Sequence, residues 1–398
     1  MISTLVWMKW PTNIGYAIGA LEELFFEVAL QLAAGDQSRV HFAYPDLSPG
    51  PPRSLPPGFQ NLTTMSIDDV SRPAMHRFEA YLRQTPVDFV LTFDVQPVHP
   101  AFSVMRRHGV KTIVSYWGAP ISSPMPRWKL ALKKAQIRLT SDRADALVFE
   151  SRAMADLALN GRGVPPSMIE IVPLGADLTR FRPAASDYVY RTFGIPADRK
   201  VVVFSGHCTT RKGIGTLIGA ALEVLVGRKR RDVCFLICGN QGDESRRYEA
   251  MYAGLGVDEW IRFAGYRNDM LQIFQSSFCG VLPSSGWDSF TLSSVEMAAT
   301  GLPIVASRLQ GLAEAVLHEQ TGLLFEPGSA SALADALERL LDRPALAAEL
   351  GKNGRARCEQ ELSREAQRTR LLAAVRKHLP GATAGDHTTA ENSRQEAQ

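Results

Sequence analysis

The chain has 398 residues, 45% hydrophobic and 21% charged, with a formal net charge of +3. That length exceeds one ordinary core and asks for two domains of about 150–200 residues each, while so small a charge speaks against a dedicated nucleic-acid binder. Five cysteines at 208, 234, 238, 279 and 358, odd in number and without a CxxC pair, fit buried thiols in a reducing compartment.

No basic-then-apolar leader opens the chain and no run approaches 18 apolar residues, so the expected address is the cytoplasm. In chain order, ISTLVWM (2–8) is an apolar run of strand length, followed by the Pro/Gly-punctuated loop KWPTNIGYAIG (9–19). Leu21, Leu24, Phe25, Val28 and Leu32 then recur at helical spacing and predict an amphipathic helix. Further strands are predicted at 40–45, 87–93, 111–117, 146–150 and 169–174, with helical patterns between most of them. Residues 175–198 hold two prolines and no long periodic stretch, and read as a linker. A second alternating series follows: strands at 200–206, 233–239, 261–266, 279–285, 302–307 and 321–327, helices near 213–227 and 244–254. Two helices close it, from about Ser331 to Leu341 and from about Pro344 to His378.

Such alternation implies parallel strands with crossover helices. The expected fold class is α/β, with two doubly wound Rossmann-like domains at 1–178 and 179–360. A C-terminal helix at 361–380 is expected to pack back toward the first domain, and residues 381–398, with almost nothing apolar beyond alanine, are expected to be disordered. Ligands of doubly wound sheets bind outside the strand C-termini, which places the expected site in a cleft between the domains.

The stretch SSGWDSFTLSSVEMAATG (284–301) gathers small and hydroxylic residues around Asp288 and places Glu296 just inside a short helix, predicted near Ser294–Thr300 and stopped by Gly301 and Pro303. Two readings of Glu296 stand open. Ser293-x-x-Glu296 is a capping box in which the glutamate reaches back to the Ser293 N–H. Alternatively, the carboxylate accepts two hydrogen bonds from a ribose diol, beside a helix N-terminus that suits a diphosphate. Asp288 would then hold the hydroxyls of an attached sugar.

The segment resembles the signature of glycosyltransferase family 4, the group 1 glycosyltransferases, retaining enzymes of GT-B fold. LPSS (282–285), DSFTL (288–292), SSV (293–295), EMAATG (296–301) and LPIVAS (302–307) follow the family's spacing of two acids. VPLGADLTRFRP (172–183), FSGHCTTRKGIGTLI (204–218), FAGYRNDM (263–270), QGLAEAV (310–316) and TGLLFEPGS (321–329) match in order. The resemblance implies that Asp288, Lys212 and Arg211 carry the chemistry. It implies a donor site of Gly206, His207, Tyr266, Arg267, Ser289, Phe290, Thr291, Leu292 and Glu296, with Gly15 and Trp117 toward the acceptor or diphosphate. The implied partners are a UDP- or GDP-sugar and a glycan or lipid-linked acceptor, as in polysaccharide or glycoconjugate assembly. No cofactor and no metal are implied, and no Asp-x-Asp or His/Cys cluster suggests one.

The chain also departs from the pattern. Asp288 is one methylene shorter than the family glutamate, Ser289 and Thr291 stand for glycines, His207 stands where an arginine is usual, and Trp117-Gly118 stands for His-Gly. Each residue keeps a plain alternative. Lys212 and Arg211 also suit a solvated loop pair, His207 a backbone contact, Trp117 the core rather than a stacked sugar, and Gly15 mere turn chemistry. An epimerase-like enzyme of the same fold or a non-catalytic sugar-binding relative would share these motifs. A nicotinamide-linked oxidoreductase does not fit, because the one glycine cluster, Gly213 to Gly219, has neither the spacing nor the placement of the dinucleotide fingerprint. Finally, RWKLALKKAQIR (127–138) predicts a basic helix with Trp128, Leu130, Leu132 and Ile137. It is a candidate for peripheral contact with anionic lipid, although these apolar residues make no single stripe and an ordinary exposed helix fits as well.

Overall fold

A computed structural model describes residues 1–121, 125–240 and 242–381. The chain divides into two compact units. One comprises Met1–Phe149, Leu157–Glu170 and the chain from Arg368; the other comprises Glu150–Asp156 and Ile171–Gln367. The tail expected to be disordered lies, beyond Gly381, outside the described residues.

The first unit is built on β1 (Thr4–Trp7), β2 (Val40–Tyr44), β3 (Leu62–Thr64), β4 (Phe89–Phe93), β5 (Thr112–Trp117), β6 (Ala146–Phe149) and β7 (Ile169–Ile171). Its helices are α1 (Tyr16–Leu32), α2 (Arg72–Gln84), α3 (Pro100–Arg107), α4 (Arg127–Leu139) and α5 (Arg152–Arg162). The sheet order is β3-β2-β1-β4-β5-β6-β7, with parallel pairing from β3 through β6. Strands β1, β4, β5 and β6 are buried throughout. Burial on both faces is why they read as unbroken apolar runs. Strand β3 has no such signal because it is three residues long and half exposed at the sheet edge. Helix α1 starts at Tyr16, earlier than the periodicity at Leu21 predicts, because its first turn is not buried and carries no apolar repeat.

The second unit carries α6 (Tyr188–Phe193), β8 (Lys200–Ser205), α7 (Ile214–Leu222), β9 (Val233–Cys238), α8 (Asp243–Glu249), β10 (Ile261–Gly265), α9 (Met270–Gln275) and β11 (Cys279–Leu282). It continues with α10 (Leu292–Ala299), β12 (Ile304–Ser307), α11 (Leu312–Ala315), β13 (Gly322–Phe325), α12 (Ala330–Asp342) and α13 (Pro344–Glu361); α14 (Arg364–Lys377) begins in this unit and from Arg368 belongs to the first. All neighbouring strands in the order β10-β9-β8-β11-β12-β13 pair in parallel. The stretch read as a linker contains α6, ended by Gly194 in the left-handed conformation at φ 59°.

The long last helix expected from Pro344 to His378 is two helices. The break is made from elsewhere in the chain. Ala176 donates its N–H to Leu362 O (2.9 Å) and accepts from Arg364 N (2.8 Å), so a strand-like bridge interrupts the helical ladder. Gly175 permits this approach, since a Cβ there would lie 2.2 Å from Ser363 O. All five cysteines are free and buried. Among the described residues no helix is long and apolar enough to cross a membrane.

In each sheet the first strand has neighbours that run outward in opposite sequence directions, at β1/β4 and at β8/β11. Such switch points leave a crevice at the strand C-termini, because the flanking crossovers pass to opposite faces. Apart from Tyr266, Arg267 and Trp117, the candidate residues follow the strands at these two points.

Candidate functional site

In the second unit the crevice is walled by the β8–α7 loop (206–213) and the β11–α10 loop (283–291). Gly213 brings the two together. It caps α7 at φ 74°, and a Cβ on it would lie 1.7 Å from Pro283 O. Only glycine satisfies both the left-handed angle and the contact. Backbone bonds complete the seam: Ser285 N and Gly286 N both donate to Arg211 O, at 2.9 and 3.3 Å.

This seam delivers two cations to one carboxylate. Lys212 Nζ lies 2.7 Å from Asp288 Oδ2, and Arg211 Nη1 lies 3.7 Å from Oδ1. Ser284 Oγ donates to Oδ2 (2.6 Å), Ser289 N to Oδ1 (3.2 Å), and the Asp288 N–H is held by Gln310 Oε1 (3.2 Å). The Arg211 guanidinium lies 4.2 Å over the Trp287 ring and donates to Trp287 O (3.0 Å). Both oxygens of Asp288 are therefore engaged, and the residue is only 4% exposed. The carboxylate expected to orient a sugar is here anchored from within the chain, by Lys212, Ser284 and the Ser289 N–H.

Helix α10 is preceded by Thr291 at its N-cap position, which sits at φ 53° and makes no side-chain cap. Its Oγ1 is buried without a hydrogen-bond partner among the described residues. The capping box read at Ser293 and Glu296 is absent as drawn. Ser293 is the second residue of the helix, not its cap, and its Oγ donates to Ser205 O (3.4 Å) across the crevice. Glu296 is buried on the second turn. Neither α7 nor α10 has a side-chain cap. Both helices thus turn amide N–H groups that a side chain usually satisfies toward the switch point, the arrangement that receives an anion.

The other donor-site candidates scatter around this corner. Gly206 is packed tightly, since a Cβ on Gly239 would lie 2.1 Å from Gly206 O, and His207 is exposed beside it. Ser289 is turned away from the crevice, its Oγ donating to Glu150 Oε2 (2.6 Å). Phe290 is a core side chain at 2% exposure, and Leu292 is half-buried. Tyr266 is exposed, whereas Arg267 pairs with Asp269 (Nε–Oδ1 2.9 Å), which also accepts from Tyr188 (2.5 Å). Tyr266, Arg267 and Asp269 border a cavity of about 460 Å³ that Arg180 and Gln272 also line.

In the first unit Gly15 caps α1, with open space where a Cβ would stand. Trp117 corrects an expectation. It is 4% exposed and packs against Phe149 at 6.4 Å, so the core reading holds and no ring face is offered to a sugar. The residue that sequence reasoning missed here is Asp94, at the C-terminal end of β4 beside the switch point. It adopts φ 54° and accepts from Gly118 N (3.0 Å), and burial pushes its carboxyl up to about 6. Ser284, Gln310 and Glu150 were also missed. The first two lie inside matched motifs, and Glu150 ends a predicted strand, but nothing local marks which side chains they meet.

Comparison with known proteins agrees with this architecture. A family model described as Glycosyl transferases group 1 matches residues 190–357, and one described as Glycosyl transferase 4-like domain matches residues 16–175. The D-inositol 3-phosphate glycosyltransferase of Corynebacterium efficiens is 34% identical over 210 residues, 50% of this chain and 49% of its own. That of Saccharomonospora viridis is 29% identical over 62% of this chain and 59% of its own. The chain spans about half the length of the curated relatives it matches. Among solved structures, a glycosyltransferase from Rickettsia africae superposes with a TM-score of 0.79 at 15% identity, covering 96% of this chain and 100% of that one. Anabaena HepE in complex with UDP-glucose gives 0.72 at 16% identity, covering 93% and 98%. With both units matched by family models and its two Rossmann-like sheets shared with these structures, the chain belongs to the group 1 glycosyltransferases, glycosyltransferase family 4, of GT-B fold.

Proposed function

We propose that the protein is a retaining, metal-independent glycosyltransferase. It moves a sugar from a nucleoside-diphosphate donor to a hydroxyl acceptor in polysaccharide or glycoconjugate assembly. Residues 179–360 bind the donor and residues 1–178 the acceptor. The observation that carries this reading is the convergence of Lys212 and Arg211 on the corner where α10 begins, at the switch point of the second sheet.

As the bond from the anomeric carbon to the diphosphate breaks, negative charge grows on the leaving oxygen. Fixed cations and amide dipoles stabilise that charge without reorganising. Lys212, Arg211 and the first amides of α10 fill this role, so no divalent ion is required. Asp288 positions Lys212, and Glu296 holds the ribose diol. The acceptor hydroxyl attacks from the side the leaving group departs and passes its proton to the departing phosphate, which preserves the configuration without an enzyme nucleophile. Gly15 and the Gly118 backbone, held by Asp94, offer the contacts of the first unit. A UDP-sugar is the first donor to test, because HepE is complexed with UDP-glucose. The buried free thiols suit the cytoplasm.

Thermal-shift titration with UDP-, GDP- and ADP-sugars should single out one nucleotide. Turnover with that donor should survive a chelator and fall about 10²-fold or more in Lys212→Ala, the scale of losing one transition-state donor. A flat response to every nucleotide sugar, or undiminished turnover in Lys212→Ala, would overturn the assignment.

A further inference from the structure

Helix α4 carries five basic residues, Arg127, Lys129, Lys133, Lys134 and Arg138, and no acidic one. At about 100° per residue, its apolar side chains fall into two sets. Leu130 and Ile137, seven apart, share the face that seats the helix. Ile137 is buried, and Arg143 donates to its carbonyl at 3.2 Å. Gly163, just past α5, lies so close that a Cβ on it would meet Lys134 Cγ at 2.6 Å and Leu130 O at 3.3 Å. Trp128, Leu132, Ala135 and Leu139 recur at i, i+4, i+7 and i+11 on the face about 180° away. There Trp128 and Leu132 are each 63% exposed, and Leu139 is 86% exposed.

Once the two seating residues are set aside, the exposed apolar residues form one stripe. The cations line both of its edges, Lys129 and Lys133 along one, Arg127, Lys134 and Arg138 along the other. We propose that α4 is an interfacial helix that docks the protein on an anionic lipid surface. The apolar stripe enters the acyl boundary, and the flanking lysines and arginines extend to the headgroup phosphates. Charge complementarity selects this occupant. A helix sunk to half its depth meets headgroups along both flanks, which is where the positive charge lies, and no acidic residue on the helix opposes them. The proposal does not rest on the transfer reaction.

The test is co-sedimentation of the full chain with phosphatidylcholine vesicles made with and without phosphatidylglycerol. Binding is expected only to the anionic vesicles and should weaken as salt is added. Lys129→Gln/Lys133→Gln, at two exposed positions, should reduce partitioning about thirtyfold, roughly fivefold per basic residue. Leu132→Asp should abolish it. Arg72→Gln/Lys352→Gln, which removes the same charge from exposed positions on other helices, should leave it unchanged. Circular dichroism of each variant checks the fold. Absence of binding, equal binding to neutral vesicles, or an equal loss in the distant pair would overturn the proposal.

Discussion

Thr291 occupies a backbone position that its side chain disfavours, and replacing it with glycine should stabilise the protein. A β-branched residue at φ 53° and ψ 128° lies outside the ordinary L-residue wells. Such a placement costs about 1–3 kcal/mol. Its buried Oγ1 has no partner among the described residues, and an unsatisfied buried hydroxyl costs a further ~1–3 kcal/mol. Against these stands the larger unfolded-state entropy of glycine, about 0.5–1 kcal/mol. Taking the lower half of each range, Thr291→Gly gains about 2 kcal/mol, or roughly 4–8 °C for a unit of this size. Thr291→Ala removes the hydroxyl but keeps the Cβ at positive φ, so it should recover about half of that gain. Calorimetry that resolves the transition of the second unit is the assay. A lower melting temperature for Thr291→Gly than for wild type would refute the argument. A threonine kept here against its own stability cost points to use of the hydroxyl at the α10 N-terminus. The same variant should therefore bind the donor more weakly while melting later, the usual opposition of stability and function.

Gly213→Ala should do the reverse. With a Cβ driven to 1.7 Å from Pro283 O at φ 74°, the two loops must part, at a cost of about 3 kcal/mol or more. A melting temperature within about 2 °C of wild type would contradict this. Asp94 predicts a pH dependence. Its folded carboxyl titrates near 6 against 3.8 for the free group, so the native state holds the proton more tightly. Stability is then lost as pH rises from about 4 through about 6. Asn keeps the acceptor for Gly118 N and tolerates positive φ, so Asp94→Asn should be more stable than wild type by about 1–3 kcal/mol at pH 8 and no more stable at pH 4. Chemical denaturation at the two pH values reads the difference, and a gap of equal size at both would count against the buried carboxyl. Glu296→Gln, a near-isosteric change that keeps an acceptor oxygen, should keep most of the stability. It should weaken donor binding about tenfold or more, as loss of a charge-assisted bond does. Calorimetric titration showing wild-type affinity would remove Glu296 from the ribose site.

What the sequence disclosed and what it withheld divide along one physical line. Strands β4, β5, β6 and β9 were legible because both of their faces are buried, so local composition alone announces them. The spacing of Asp288 and Glu296 across one strand-to-helix corner was legible for the same local reason. Side-chain partners were not. Nothing near Asp288 says that its carboxylate is held by Ser284 and by a lysine 76 positions upstream. Nothing near Ser363 says that Ala176 will break the helix there. The stripe on α4 was hidden differently, since Leu130 and Ile137 belong to a seat that only tertiary packing defines.

The Asp288 pairing bears on how the corner works before any ligand arrives. A free lysine at a loop end samples many rotamers, and fixing it on a phosphate costs up to about 2 kcal/mol of side-chain entropy. Here Lys212 is already held by a carboxylate that Ser284 holds in turn, on a residue whose backbone N–H Gln310 fixes. The shorter Asp, in place of the family glutamate, keeps that carboxylate close to its own backbone, where Ser289 N reaches it. One acid between two cations leaves the corner with a net positive charge. Under the proposed function, a diphosphate would meet charge whose placement has been settled by folding, the electrostatic preorganisation asked of a leaving-group site.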